Sequence, residues 1–497
     1  MPRKQLITSL ACLFFPLAMA ARAPSLLKEK LDAVLANSPK LASAFVGVSI
    51  VSLADGRPLY ERNANNLFAP ASNTKLFTTA LALTTLGPQY QFATSVLADA
   101  PADEAGRVAG DLVFVGSGDP SMSSRHYPYQ KPGGTREPAP GVVPAIEELA
   151  DQVVSKGVRR IDGAIVGDDR RYVWEPYPDG WSANDPTWEY GAAASALVVN
   201  DNTFALSVQP GEAPGQLARL SVAPSLEAFV IDNRVVTTSG GERKMVVRRD
   251  VGTNEMFVSG SIPVKDSGTV ELLAAGDPAL FAARMLRDAL IRRGVSVRGD
   301  AVARHRQADE PVPTWAGVEL AHRVSPPLSE LLQVIDKVSQ NLHAEMMLRE
   351  VGTVRRNQGS SEGGQAEMKA FLAQAGVSGD EFHLVDGSGL SRLTLVAPAA
   401  VTKLLVHMYR SRHRQEWISF LPVGGVDGTL RSRWEGHPEA TRIQAKTGSL
   451  SHVRALSGYA ESARYGRLAF SFIVNDALAE PGAVTQFLDT MGLKLLE

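Results

Sequence analysis

The sequence predicts an α/β fold of the α+β kind: an antiparallel sheet flanked by helices and interrupted by a large, mostly β insertion. Three observations lead there. A hairpin-like stretch and an apolar helix occupy the first 90 residues, and short strand-like runs broken by Gly, Pro and Asp follow to about residue 260. Helical periodicity then returns from Asp277, and strands close the chain from Arg442. Strands before and after a block of helices, joined by short turns, favour an α+β arrangement over a parallel sheet.

In chain order, Ser43 to Val51 is rich in β-branched and apolar residues, Asp55-Gly56 marks a turn, and Pro58 to Asn63 returns. That pattern is a β-hairpin. Leu76 to Leu83 is an apolar run without Gly or Pro, ending at Leu86-Gly87-Pro88, as a buried helix with a Gly-Pro stop would. Strand-like runs follow at Phe92–Leu97 and Asp111–Val115, then a Pro/Gly-rich loop from Tyr127 to Gly141. Val143 to Lys156 has helical spacing, Gly163 to Gly167 is a strand, and Gly167-Asp168-Asp169-Arg170 leads into a turn. Leu197–Val208, Leu217–Val222, Phe229–Thr237 and Lys244–Arg249 extend the run of strands. Helices are expected from Asp277 to Arg293, Leu328 to Val338, Leu342 to Val351, Gln365 to Ala375 and Ala397 to Tyr409, with a flexible Gly/Ser loop at Gly359–Gly364. Arg442–Thr447, Ala455–Ala460 and Leu468–Val474 read as strands, and Gly482–Leu496 as a last helix.

The expected organisation is therefore a discontinuous first unit, residues 24–90 and 262–497, split by an inserted unit, 91–261, with a nested piece near 170–250. A chain of 497 residues accommodates two or three such units. Its net charge of −2 gives no general attraction to nucleic acid or anionic membranes. Met1-Pro2-Arg3-Lys4, an apolar run from Leu6 to Ala18 and Ala18-Met19-Ala20 form a secretory signal peptide over residues 1–20, with a second cleavage option at Ala21-Arg22-Ala23. A lipoprotein reading of Ser9-Leu10-Ala11-Cys12 has a very short apolar core. Cys12 is the one cysteine, so the processed chain is expected to have no disulfide, thiol chemistry or cysteine metal site. No later stretch is long and apolar enough for a transmembrane helix, and the nine scattered His need no metal.

Three short motifs carry chemistry. Ser72-Asn73-Thr74-Lys75 stands at the mouth of the first helix, where positions i and i+3 share a face. A hydroxyl there can give its proton to a buried, neutral amine one turn on. Alone the pattern is weak: Ser25-Leu26-Leu27-Lys28 matches too, and an N-cap serine with a solvated lysine spells the same letters. Ser339-Gln340-Asn341 lies between two helices and offers a hydroxyl that can relay a proton and an amide that can hold a carbonyl. Ser182-Ala183-Asn184 has the same form. Lys446-Thr447-Gly448-Ser449 occurs once and ends a strand, whose edge can pair with an extended peptide. There Lys446 adds positive charge, Thr447 a hydroxyl for a carboxylate, and Gly448 room for close approach of substrate. Asp386-Gly387-Ser388-Gly389-Leu390-Ser391-Arg392 is a turn-rich loop with one cation.

The order of these motifs, each on a suitable element, resembles the serine penicillin-recognising enzymes. More closely, the chain resembles the D-alanyl-D-alanine carboxypeptidase/endopeptidase family of penicillin-binding protein 4 type (class C low-molecular-mass penicillin-binding proteins, peptidase family S13). The likeness spans nearly all of the processed chain and includes Gly118-Asp119-Pro120, Gly167-Asp168-Asp169, Gly180-Trp181 to Asp185, Asn200-Asp201-Asn202 and Asp386 to Arg392. The long interval between Ser72 and Ser339 matches that family's insertion. Ser25 lies beside the cleavage site and Ser182 inside the insertion, so Ser72 and Ser339 are preferred.

The resemblance implies a β-lactamase/transpeptidase-like domain and a periplasmic enzyme with no cofactor, acting on peptidoglycan peptides and acylated by β-lactam antibiotics. It implies Ser72 as nucleophile, Lys75 as its base, and Ser339 with Lys446 as the path of the proton to the leaving group. Asn341 would hold the acyl-chain amide, and Thr447 and Ser449 the terminal carboxylate. Backbone N–H groups of Ser72 and Ser449 would form the oxyanion hole. Arg392 and Asp185 would stand near the substrate side chain. A β-lactamase is the first rival, but the chain has neither a Glu-x-x-Leu-Asn nor a Tyr-x-Asn motif. A catalytically silent binding module is the second.

Overall fold

The computed structural model describes residues 15–131, 143–224, 230–250, 253 and 255–497, with side chains from Leu26 onward. The signal-peptide cleavage sites and Cys12 with its lipoprotein reading lie outside the described residues or side chains.

A five-stranded antiparallel sheet joins the two ends of the chain. Its order is Ile443–Leu450, Val453–Ser462, Gly466–Asn475, Phe45–Ser52 and Pro58–Arg62. The strand Phe45–Ser52 shows why this sheet is covered on both faces. Val46, Val48 and Ile50 share a core with the terminal helices Phe15–Ala36 and Pro481–Leu496. On the alternate positions, Ser49 Oγ bonds Thr402 Oγ1 at 2.8 Å, on the helix Pro398–Arg410. Period-two alternation thus places one set of side chains against each helical layer. Gly47 is a glycine because a Cβ would come within 2.6 Å of the Phe68 ring and 2.8 Å of Pro398 Cγ.

Beneath the second face lie the helices Thr74–Leu86, Leu328–Val338, Asn341–Arg356, Ser361–Gln374 and Pro398–Arg410, around one core. The segment Gly359–Gly364, expected as a flexible loop, is instead largely the start of a helix capped by Ser360, whose Oγ accepts Gly363 N at 3.1 Å. Gly364 is required for close helix contact, since a Cβ there would sit 2.3 Å from Leu348 O. The helix Arg414–Phe420 was not expected from the sequence.

Apart from the short pair Phe382–His383 and Leu395–Val396, which packs with the first body, the remaining strands form a separate body. Its largest sheet runs Ala301–Arg306, Ile165–Val173, Leu112–Val115, Ala93–Ala98, Val318–Val324, with helices Pro144–Ser155 and Pro278–Arg292 in its core. It departs from the expected organisation in four places. Thr269–Ala274 pairs with Thr203–Gln209, and Val318–Val324 with Ala93–Ala98, so the chain does not return to the first body at 262 but at Leu328. The piece expected as nested near 170–250 is divided: 165–173 belongs to the five-stranded sheet, and two three-stranded sheets lie within 203–274. The turn expected at Gly167–Arg170 is strand, because each charge finds a partner there. Asp168 takes Arg170 at 2.6 Å, Asp169 takes Ser195 Oγ and His305, and Arg171 takes Glu350. Finally, Leu197–Asn202 is not strand; Asn200, Asp201 and Asn202 form a short turn of left-handed residues.

Candidate active site

Ser72 lies in a 3-10 turn, Ala71–Asn73, that runs directly into the helix Thr74–Leu86. Ala71 has φ +49°, which throws Ser72 to the rim of a cleft of about 450 Å³. The Asp386–Arg392 loop is not a surface turn. Asp386 and Ser388 are buried, and a Cβ on Gly389 would lie 1.9 Å from Ala71 O, so the loop is the floor beneath the serine turn.

Lys75 is fully buried, and its Nζ has three neighbours: Ser72 Oγ at 2.9 Å, Asn341 Oδ1 at 2.6 Å and Ser388 O at 2.7 Å. Two of these are carbonyls that can only accept; the third is a hydroxyl that can donate. A neutral amine has two protons and one lone pair, so it satisfies this set with Ser72 donating into the lone pair. Burial first, and then the charge of Lys446, push the Lys75 amine well below the ordinary lysine range, against the pull of Asp386, Glu345 and Asp336. So placed, a neutral Lys75 could take the proton of the Ser72 hydroxyl.

The second motif closes over the pair. Ser339 ends the helix Leu328–Val338 with φ +64°, and its Oγ accepts Lys446 Nζ at 2.9 Å. Asn341 opens the next helix, takes Lys75 on its carbonyl and donates Nδ2 to Tyr190 O at 2.8 Å. Its second amide proton remains for a ligand carbonyl. Lys446 is buried and also donates to Thr447 O at 2.8 Å. Burial pushes Lys446 down to about 8, with Asp336 pulling it back.

The strand Ile443–Leu450 is a sheet edge. Thr447 and Ser449 line the cleft, and Thr447 Oγ1 donates to Thr429 Oγ1 at 2.9 Å. Gly448 is buried, and a Cβ there would meet Pro70 O at 2.6 Å and Ala71 Cβ at 3.2 Å, so this glycine lets the strand close on the serine turn.

Asp185 and Arg392 both line the cleft, with Ser182 and Tyr190. Asp185 Oδ2 accepts Ser182 N at 2.8 Å, and Arg392 reaches Ser451 O at 3.3 Å. Burial pushes the Asp185 carboxyl up, offset by Ser182 N–H, Arg392 and Tyr190. Ser182, the serine of the alternative Ser-x-Asn, therefore lines the same cleft but bonds no lysine in it. Thr429, Tyr190 and the Ser388 carbonyl were not found from sequence. Ser388 and Tyr190 act through backbone oxygens, which leave no mark in side-chain patterns. A Gly-x-Ser-x-Gly pattern does occur, at Gly359–Gly363, but Ser361 Oγ there is occupied by Val385 O and Gln365.

A larger cavity, about 700 Å³, lies between the terminal helices. Its Ser38 hydroxyl is spent on Val34 O and its Lys30 ammonium on Glu497. Chemistry, not volume, selects the cleft at Ser72. Among the described residues, no cluster of His, Cys, Asp and Glu suits a metal, and no helix is long and apolar enough to cross a membrane.

Comparison with known proteins adds relatives to this geometry. Residues 27–491 match the model of the D-Ala-D-Ala carboxypeptidase 3 (S13) family. The chain is 34% identical over 484 residues to a D-alanyl-D-alanine carboxypeptidase of Actinomadura sp. (strain R39), covering 95% of this chain and 84% of the relative. It is 24% identical over 434 residues to the D-alanyl-D-alanine carboxypeptidase DacB of Haemophilus influenzae, covering 86% and 85%. The crystal structure of penicillin binding protein 4 from Haemophilus influenzae superposes with a TM-score of 0.81 at 23% identity, covering 94% of this chain and 99% of the other, which shows a shared fold.

Proposed function

The chain belongs to the D-Ala-D-Ala carboxypeptidase 3 (S13) family, and from that premise we propose that it works by serine acyl transfer through Ser72. Lys75 takes the Ser72 proton as Oγ attacks the carbonyl of the penultimate D-alanine of a peptidoglycan stem peptide. The C–N bond then breaks. The proton reaches the departing amine nitrogen through Ser339 and Lys446, and water hydrolyses the ester to free Ser72. The observation that carries this reading is the Lys75 amine set between two carbonyls and the Ser72 hydroxyl.

The other roles follow from position. Thr447 and Ser449 receive the terminal carboxylate along the open strand edge. Asn341 holds the acyl-chain amide, and backbone N–H groups of Ser72 and Ser449 stabilise the oxyanion, a contribution of roughly 10²–10³ in rate per donor. Asp185 and Arg392 face the stem side chain. Endopeptidase action needs no new chemistry: the leaving amine then belongs to a neighbouring stem. A β-lactam would acylate the same serine, and because its ring nitrogen stays tethered, the adduct persists. We place the enzyme in the periplasm, delivered by the residue 1–20 signal.

The test is labelling with a fluorescent penicillin, wild type beside Ser72→Ala, with intact mass followed over time. A stable adduct on wild type and none on the variant is expected. Cross-linked and uncross-linked muropeptides then separate endopeptidase from carboxypeptidase. Rapid loss of the adduct would favour a β-lactamase, and no adduct on folded wild type would overturn the reading in favour of a binding module.

A further inference from the structure

Asp336 is fully buried on the helix Leu328–Val338, three residues before Ser339, and the acyl-transfer steps above do not use it. Its neighbour is Thr79, one turn past Lys75. Thr79 Oγ1 lies 2.7 Å from Lys75 O and 3.0 Å from Asp336 Oδ2. A threonine hydroxyl has one proton. The Lys75 carbonyl and the Asp336 carboxyl compete for it: an ionised Asp336 accepts it, and a neutral Asp336 can instead donate to Thr79 Oγ1 while the hydroxyl turns to Lys75 O. The other oxygen, Oδ1, is buried without a hydrogen-bond partner among the described residues, which costs a carboxylate more than a neutral acid.

The charges around Asp336 come from several elements. Lys75 faces it from the serine helix, Lys446 from the strand Ile443–Leu450, and Lys337 from its own helix. Lys337 is itself held by Asp427 at 2.6 Å and Leu421 O at 2.8 Å. The charges of Glu345 and Asp386 also act on Lys75.

We propose that Asp336, buried with one oxygen unpartnered, holds a proton for the two-lysine relay and, once ionised, keeps the proton on Lys446. It acts through Lys446 and touches no substrate, so it is a positioning residue, and the idea rests on Lys446 being the proton carrier of the acyl-transfer reading. Burial pushes the carboxyl up to about 7, against the pull of Lys446 and Lys75. Lys446 in turn lies near 8. The ammonium needed to protonate the leaving group therefore survives to higher pH because Asp336 has become negative beneath it.

Asp336→Asn keeps the shape and, through Nδ2, the donor to Thr79, but cannot ionise. The second-order rate of acylation by penicillin, followed against pH, should show its alkaline limb moved roughly one pH unit toward acid. Asp336→Leu should displace the same limb in the same direction and serves if the Asn variant does not fold. A loss of rate uniform in pH, with both limbs unmoved, would reduce Asp336 to a structural residue and overturn the proposal. Difference infrared spectra of wild type against Asp336→Asn give a readout independent of acylation. A protonated-carboxyl stretch that fades as pH rises through about 7 is expected. If that band is missing below neutrality, the proposal fails even where Ser72 acylates. If the band titrates but no penicillin adduct forms, the proton is held as proposed and it is the acyl-transfer reading that fails.

Discussion

Two interior carboxyls flank the Ser339–Asn341 turn, Asp336 fully buried and Asp201 nearly so, and they end in opposite states. Asp201, from the inserted body, is bonded to Arg125 Nε at 2.6 Å, to His343 Nε2 at 3.0 Å and to Gln340 Nε2 at 3.3 Å. Burial would push it up, but Arg125 and His343 outweigh that and hold it well below the usual carboxylate range. Asp336, from the catalytic body, has lysines near it but no direct bond to one, and burial prevails. Burial alone therefore does not decide the charge of an interior acid; contact with a cation does. Asp201 is a brace, tying the second motif to a turn of three left-handed residues. Asp336 and the two lysines keep their charges unpaired, and so keep protons that can move.

That contrast predicts a separation of activity from stability. Lys75→Met removes the base and should lower penicillin acylation by roughly 10²–10⁴-fold. Because Lys75 is buried without a directly bonded carboxylate, the same change should leave the urea midpoint unchanged or raised. A large fall in that midpoint would show that Lys75 is a structural charge after all, and the contrast would break. Asp201→Asn is the converse case. Leaving Arg125 and His343 without their anion should cost about 3 kcal/mol in denaturant unfolding, with acylation by the remaining folded protein reduced far less than in Lys75→Met. The Asp201 contribution is complete above the normal carboxylate range and is lost progressively as pH falls below that range toward the depressed folded value. The difference between wild type and variant should therefore shrink in acid.

The unpaired side of this comparison was largely legible in the sequence and the braces were not. Ser72, Lys75, Ser339, Asn341, Lys446 and Thr447 stand in short local spacings, and their helices and strands follow from period and caps. Asp336 left a signal that could have been used: it follows Leu332 by four, on the apolar face of its helix, where a carboxylate is out of place. The paired charges left none. Asp168-Asp169-Arg170-Arg171 argues against a strand by propensity, and only partners distant in sequence, such as Ser195, His305 and Glu350, make it one. The return of the chain at Leu328 and not at 262 was hidden for the same reason, since pairing of Val318–Val324 with Ala93–Ala98 is a long-range fact. The packing of Gly448 against Pro70 is likewise invisible until the serine turn is in place.

His305 supplies the mildest test of the rule that contact sets charge. Its Nδ1 lies 2.9 Å from Asp169 and its Nε2 3.3 Å from Asp277, while its ring stacks on Trp174 at 3.9 Å. Burial would lower the imidazole, but the two carboxylate bonds raise it to about 10. Burial also pushes Asp169 up, so the cluster as a whole gains less than the imidazole does alone. The ring is 21% exposed, which weakens the pairing further. With those discounts, His305→Gln should cost about 1–2 kcal/mol at pH 6. The sign follows from a folded value above the unfolded one: the contribution is complete below 6.5 and disappears as pH rises through about 10. Urea unfolding of wild type and variant should therefore differ at pH 6 and converge toward pH 10, with acylation by the folded variant unchanged. A difference that stays constant with pH would assign the loss to the stack on Trp174, and a paired charge in the inserted body would then matter no more than the packing around it.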